Sequence, residues 1–159
     1  MNLKIKLIYI LSIILFLSAC SNERGIEKDL EKPTISINYN GGFPKACEVL
    51  TKGETYNFKA LVTDNLELAS YSIDIHNNFD HHTHDDQAAT CDLAAIKNPT
   101  NPLIYIENFT VQAGKKSYEF NVSVTIPKEI DAGDYHCSYS VTDITGWQSI
   151  TSIDIKIAE

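Results

Sequence analysis

The sequence has few basic residues and no long internal apolar run, and each shortage excludes a class of function. Lysine and arginine number 13 against 21 aspartates and glutamates, giving a formal net charge of −8. Because phosphate backbones are bound by clustered positive charge, this balance argues against a nucleic-acid partner. The longest apolar run lies at the extreme N-terminus, so no internal segment is predicted to span a membrane. A hydrophobic content of 43% still suffices for a core, and 159 residues fit one domain.

The first twenty residues have the layout of an export signal. Lys4 and Lys6 precede an almost unbroken apolar stretch over 7–17, and small residues then lead to Cys20. Segment 17–20 (LSAC) resembles the bacterial lipobox, which implies cleavage before Cys20 and lipidation of that cysteine. A plain membrane-anchor helix is disfavoured because the run is short and ends at small residues.

The export signal and the lipobox-like segment predict that the chain has three segments. We expect a lipoprotein signal peptide over 1–19, a lipidated tether over 20–32 and a folded domain over 33–159. The tether is polar and charged and carries no apolar period. Ser21 after the cysteine is typical of sorting to the bacterial outer membrane, where the lipid-anchored domain would face the periplasm or the outside.

From Pro33 onward the pattern predicts strands and no helix. Seven stretches combine alternating apolar residues with flanking turn signals. They cover 34–38, 55–63, 69–76, 103–111, 117–126, 134–142 and 147–157. Seven short strands predict an all-β fold, namely an antiparallel β-sandwich with Greek-key connections. The loop after the third strand has about two dozen residues, a length that suggests function.

Three short segments resemble parts of immunoglobulin-like domains. Segment 131–137 (DAGDYHC) resembles the D-x-G-x-Y-x-C signature of that superfamily, in which the tyrosine forms a tyrosine corner. Segments 62–65 (VTDN) and 141–146 (VTDITG) resemble strand ends of bacterial Ig-like domains. The resemblance implies an Ig-like sandwich of bacterial type, because 55–63 lacks the usual cysteine and Tyr71 stands where tryptophan is expected. The whole chain is similar to small bacterial lipoproteins with one Ig-like domain, a likeness that implies no particular activity.

The histidines are concentrated in one place. Four lie within nine residues, at His76, His81, His82 and His84, and the fifth is His136. In an Ig-like sandwich the end of the third strand and the start of the sixth share one edge, and both His76 and His136 have the parity of the outer face. The loop then carries His82 and His84 past the same place. This convergence predicts a metal site with His76, His82, His84 and His136 as ligands.

The chemistry of the cluster favours zinc. Three or four imidazole nitrogens at about 2.0–2.1 Å suit Zn²⁺, with copper and nickel as alternatives. Asp80, His81 and Asp85 are alternate ligands, and Asp154 is expected beside His136 as the acceptor that orients its ring. Two plainer interpretations stay open: a solvated flexible loop, and a tag-like patch that binds metal without physiological purpose.

Three cysteines remain besides Cys20, an odd number for an oxidising compartment. A disulfide between Cys47 and Cys91 is preferred, since it would tie the histidine-bearing loop to the sandwich and leave Cys137 as a small buried residue. A bridge that uses Cys137 is the open alternative.

Polar residues also meet at the other end of the predicted sandwich. Asp64, Asn65 and Asp143 lie where two loops come together, and their oxygens could contribute to a Ca²⁺ site. Asx turns account for the same residues. Trp147 near this end is either part of the core or a partner contact.

We therefore expect a lipid-anchored cell-envelope protein that binds a divalent transition metal for capture, buffering or a metal-stabilised interaction. The alternative is an adhesion or glycan-binding accessory module of the outer membrane, with an envelope protein or a glycan as partner. The sequence contains no His-Glu-x-x-His segment, Ser-His-Asp pattern or glycine-rich phosphate loop, so we do not expect an enzyme.

Overall fold

A computed structural model describes residues 29–84 and 91–159. The chain divides after Leu30, and the second unit, Glu31–Glu159, contains every strand. The expected signal peptide over 1–19 and the tether residues 20–28 lie outside the described residues. In the described part of the chain, no helix is long and apolar enough to cross a membrane.

Eight strands form two sheets that pack as a sandwich. The strands are β1 (Thr34–Ser36), β2 (Glu48–Thr51), β3 (Thr55–Thr63), β4 (Leu68–Asn77), β5 (Tyr105–Thr110), β6 (Ser117–Thr125), β7 (Gly133–Asp143) and β8 (Gln148–Ala158). One sheet has the order β1-β3-β6 and the other has the order β2-β8-β7-β4-β5. The predicted all-β sandwich is confirmed.

The strand count and one pairing differ from the expectation. The additional strand is β2, whose four residues include one buried side chain, Leu50, and are too few to show an alternating pattern. β2 pairs parallel with β8, so the larger sheet is mixed rather than purely antiparallel. The first strand ends at Ser36 rather than at residue 38, and the carbonyl of Ile37 accepts a hydrogen bond from Lys45 Nζ at 2.7 Å.

The core lies between the sheets and follows the alternation of the strands. On β4 the side chains of Tyr71, Ile73 and Ile75 are buried, with partly exposed residues between them. Tyr71 stacks on Phe120 of the opposite sheet, with ring centroids 4.6 Å apart. Cys137 is also fully buried, and burial raises the pKa of its thiol to about 12. This cysteine therefore acts as a small core residue rather than as a reactive thiol.

A tyrosine corner fixes the start of β7. The hydroxyl of Tyr135 donates to the carbonyl oxygen of Asp131 at 2.6 Å and accepts from the backbone nitrogen of Leu103 at 3.2 Å. The Asp131 carboxylate accepts from the backbone nitrogens of Thr100 and Asn101 at 2.6 and 2.8 Å. These bonds tie the last part of the long β4–β5 connection to the beginning of β7.

A disulfide between Cys47 and Cys91 ties the same connection to the larger sheet. Both residues contact Asp154 of β8: the backbone nitrogen of Cys47 donates to its carbonyl oxygen at 2.8 Å, and that of Cys91 to its carboxylate at 3.3 Å. Cys137 takes no part in the bridge.

Candidate metal centre

The centre is built on a row of side chains that crosses three adjacent strands. His76 on β4 is the register partner of His136 on β7, and His136 is in turn the register partner of Asp154 on β8. All three have the opposite parity to the buried apolar residues of their strands, so they lie on the outer face of the larger sheet.

The loop after β4 folds back over this row. Phe79 is buried against Tyr135, with ring centroids 5.3 Å apart, and the backbone nitrogen of Asn78 donates to the carbonyl oxygen of Asp134 at 2.8 Å. Gly133 lets the loop approach closely, because a Cβ there would lie 2.9 Å from the Phe79 ring. The loop covers His136 completely, although that residue has the parity of an outer-face position.

Four imidazole rings meet under the folded-back loop. They belong to His76, His82, His84 and His136, and the six pairs of ring centroids are 4.6 to 5.6 Å apart. His76 Nε2 lies 3.3 Å from Nε2 of His82 and 3.3 Å from Nε2 of His84. His76, His82 and His84 each present a ligand nitrogen within 4.8 Å of the other two, so this group could hold a metal ion.

Carboxylates orient two of these rings. His76 Nδ1 lies 2.9 Å from Asp74 Oδ1, and His82 Nδ1 lies 2.6 Å from Asp80 Oδ1. A carboxylate accepts hydrogen bonds only, so each neutral ring has its proton on Nδ1 and a lone pair on Nε2. The hydrogen bond with His82 holds the pKa of the Asp80 carboxyl below its ordinary value. When both rings are neutral, the Nε2 lone pairs of His76 and His82 face one another at 3.3 Å, an arrangement that favours a cation between them.

His136 takes a different position from that of the other three rings. Its Nε2 lies 3.1 Å from the carbonyl oxygen of His82, and its Nδ1 lies 2.8 Å from Asp154 Oδ1 at an ion-pair distance without hydrogen-bond angles. Burial lowers the pKa of this imidazole. The carbonyl oxygen can only accept a hydrogen bond, so Nε2 carries a proton. Its nitrogens are not among the three that lie within 4.8 Å of one another, so His136 contacts the loop rather than completing that set.

The alternate ligands His81 and Asp80 are not among the three residues whose ligand atoms lie close together. His81 points its Nε2 at the carbonyl oxygen of Ala94, 2.9 Å away, and has a positive φ of 62°. Asp80 lies behind the His82 ring, on the Nδ1 side. Asp85 lies outside the described residues.

Asp74 was not predicted as a site residue, although the sequence contains a signal for it. Asp74 and His76 are two residues apart on β4, so they lie on the same face of the sheet. The same i, i+2 relationship joins Asp80 to His82. A search for carboxylates two residues before each histidine would have found both acceptors.

The fold and the cluster define a β-sandwich protein with a histidine group able to hold a metal. The chain belongs to the family DUF4625, described as a domain of unknown function, whose profile matches residues 18–158. No curated protein matches the chain.

Two solved structures are similar to the chain over most of its length. The "GspB Siglec domain" is 19% identical with a TM-score of 0.45, and Spo0M, a sporulation control protein from Bacillus subtilis, is 12% identical with a TM-score of 0.40. The similarity covers 82% and 80% of this chain but only 59% and 49% of those chains, so this chain matches about half the length of each.

Proposed function

We propose that the protein binds a divalent transition metal, with zinc favoured, through the Nε2 atoms of His76, His82 and His84. The observation that supports this most strongly is the 3.3 Å separation of the His76 and His82 Nε2 atoms, both of which carry lone pairs. Without a metal ion or a proton between them, two lone pairs so close would repel. The Asp74 and Asp80 carboxylates that fix these tautomers resemble the partners that metal-bound histidines usually have.

Zinc is favoured by the spacing of the nitrogens. Two nitrogens bound at about 2.0–2.1 Å to one tetrahedral Zn²⁺ lie about 3.3–3.4 Å apart. Both Nε2–Nε2 distances from His76, to His82 and to His84, are 3.3 Å. Neighbouring nitrogens of a square-planar Cu²⁺ or Ni²⁺ site lie closer, about 2.8–2.9 Å apart. Three imidazoles leave the fourth tetrahedral position for water.

His136 acts in this proposal as a positioning residue. A hydrogen bond from its Nε2 to the carbonyl oxygen of His82 holds the loop over the sheet. Because His136 is the register partner of His76, the loop then lies beside His76. The ring would act through the geometry of His82 and His84 rather than by binding the ion.

We further propose a lipid-anchored place in the bacterial outer membrane and an Ig-like ancestry for the domain. The lipobox-like LSAC segment at 17–20 supports the anchor, and the disulfide between Cys47 and Cys91 suits an oxidising compartment. The tyrosine corner at Tyr135 supports the Ig-like relationship. A metal ion bound by His76, His82 and His84 would join the β4–β5 loop to the sheet. This arrangement suits metal capture, buffering or a metal-stabilised interaction surface.

Metal content tests this proposal. Untagged protein that begins at Ser21, purified without chelator, should contain close to one zinc per chain by mass spectrometry. The His82→Asn variant should lose it. His81→Asn is the matched control, because His81 is the neighbouring residue, its ring faces Ala94, and asparagine tolerates the positive φ at that position. Equal metal in the two variants, or none in the unmodified protein, would contradict the proposal and favour a glycan or protein partner.

A further inference from the structure

A second set of polar side chains lies at the other end of β7, where the β3–β4 and β7–β8 connections meet. Asp143 is the last residue of β7, about 24 Å along the strand from His136 at about 3.4 Å per residue. Asp64 directly follows β3. A carboxylate oxygen of Asp64 lies within 4.8 Å of one of Asp143, so the two acidic groups share one place.

Asp64 uses one of its two oxygens to shape its own turn. Its Oδ2 accepts hydrogen bonds from the backbone nitrogens of Leu66 and Glu67 at 2.7 and 2.8 Å. Its Oδ1 is buried and accepts no hydrogen bond. An Asx turn therefore accounts for Oδ2 of this carboxylate but not for Oδ1.

Asp143 also uses one carboxylate oxygen to form its turn, and the residue is more deeply buried than Asp64. Its Oδ1 accepts from the backbone nitrogen and the hydroxyl of Thr145 at 2.8 and 2.9 Å, and from the backbone nitrogen of Trp147 at 2.9 Å. The residue is 2% exposed, and its Oδ2 has no hydrogen-bond partner. A carboxylate oxygen removed from water without a donor is unfavourable, so this oxygen points to a positive ligand.

Among the described residues of the sandwich, no side-chain cation forms an ion pair with Asp64 or Asp143. In residues 31–84 and 91–159 no lysine nitrogen lies within 4.0 Å of either carboxylate. The nearby Lys116 instead donates to the backbone oxygen of Asn65 at 2.8 Å. Two carboxylates thus converge with one buried, unpartnered oxygen each and no counter-charge from the sandwich.

We propose that Asp64 and Asp143 bind a Ca²⁺ ion that joins the β3–β4 and β7–β8 connections. Oxygen-only ligands favour a hard cation, and Ca²⁺ binds oxygens at about 2.3–2.6 Å, so two of its ligands lie up to about 4.6–5.2 Å apart. A separation of at most 4.8 Å is compatible with two oxygens bound to the same Ca²⁺ ion. Mg²⁺, with oxygens at about 2.0–2.1 Å, requires a tighter and more regular set of ligands. Water would complete the coordination shell.

Thermal unfolding of the zinc-loaded, full-length chain in detergent tests the site. Adding Ca²⁺ to the millimolar range should raise the Tm by about 5 °C. Asp64→Asn and Asp143→Asn should abolish this shift, since each keeps the turn-forming oxygen but removes the charge. Asp131→Asn is the matched control: Asp131 also shapes a turn through backbone nitrogens, but its carboxylate is exposed, so the shift should remain. An unchanged Tm in the unmodified chain, an equal shift with Mg²⁺, or an undiminished shift in the Asp64 and Asp143 variants would overturn the proposal.

A second measurement needs no variant. Trp147 is the single tryptophan of the chain and its backbone nitrogen contacts Asp143, so Tb³⁺ used as a probe for the Ca²⁺ position should luminesce when the indole is excited. Ca²⁺ should reduce that signal by competition, and zinc should not. Failure to detect luminescence that Ca²⁺ displaces would overturn the proposal, whereas the histidine site would be unaffected.

Discussion

His76 and His136 are direct register partners on β4 and β7, and their ring centroids lie 5.6 Å apart on the outer face of the sheet. A shift of one residue in this register would turn one ring into the core. Two rigid strands therefore place one proposed ligand and the ring that holds the loop. The loop has to bring only His82 and His84 to a surface that the sheet has already arranged.

The His136→Ala substitution tests the positioning of the loop. It removes the hydrogen bond to the His82 carbonyl and leaves a void beside the row, so zinc affinity should fall about 10–100-fold. Competition with a chromophoric chelator measures this affinity. The His81→Asn variant should bind zinc as the unmodified protein does. Unchanged affinity in His136→Ala would show that the loop is held without His136.

The Asp74→Asn substitution tests the tautomer of His76. An amide can donate to Nδ1 and favour the tautomer with its proton on Nε2, so zinc affinity should fall about 10–100-fold while the fold persists. Asp92→Asn, at an exposed position, is the control for the lost negative charge. Equal affinities for the two variants would contradict a role of Asp74 in orienting the ligand.

The pH dependence of metal-free stability tests the environment of His136. Burial lowers the pKa of this imidazole in the folded state, so the unfolded chain binds its proton at higher pH than the folded chain does. The stability that this group contributes is full above the ordinary imidazole pKa of about 6.5 and is lost as the pH falls through the folded-state pKa. Urea unfolding between pH 7.5 and 5 should show this decline, and His136→Gln should reduce its slope. An unchanged slope would contradict the prediction.

The disulfide should contribute both stability and loop order. Replacing Cys47 and Cys91 together by serine should lower the free energy of unfolding by about 2–4 kcal/mol, because the bridge closes a long segment of the unfolded chain. Urea unfolding measures this change. Zinc affinity should fall as well, since the bridge ties the β4–β5 connection to the larger sheet. Stability within about 0.5 kcal/mol of the unmodified protein would contradict the prediction.

Alternation in the sequence was enough to predict most of the fold, because half-buried strands have a strict period of two. It indicated the strands that contain His76 and His136 and the face on which both lie. The four-residue β2 is too short for that signal, and its parallel pairing with β8 depends on tertiary packing. The sequence also predicted that the loop carries His82 and His84 to this place, but it did not indicate the contact that holds the loop there. That contact is made by Phe79, which fills the space above Gly133 and so joins distant parts of the chain.

Anomalous diffraction at the zinc edge, from crystals grown with one equivalent of Zn²⁺, would locate the bound ion. We expect one strong peak about 2.0–2.1 Å from the Nε2 atoms of His76, His82 and His84. Asp74 and Asp80 should still contact Nδ1 of His76 and of His82. A peak bound by His81 or by surface carboxylates, or no peak at this cluster, would contradict the proposed zinc site.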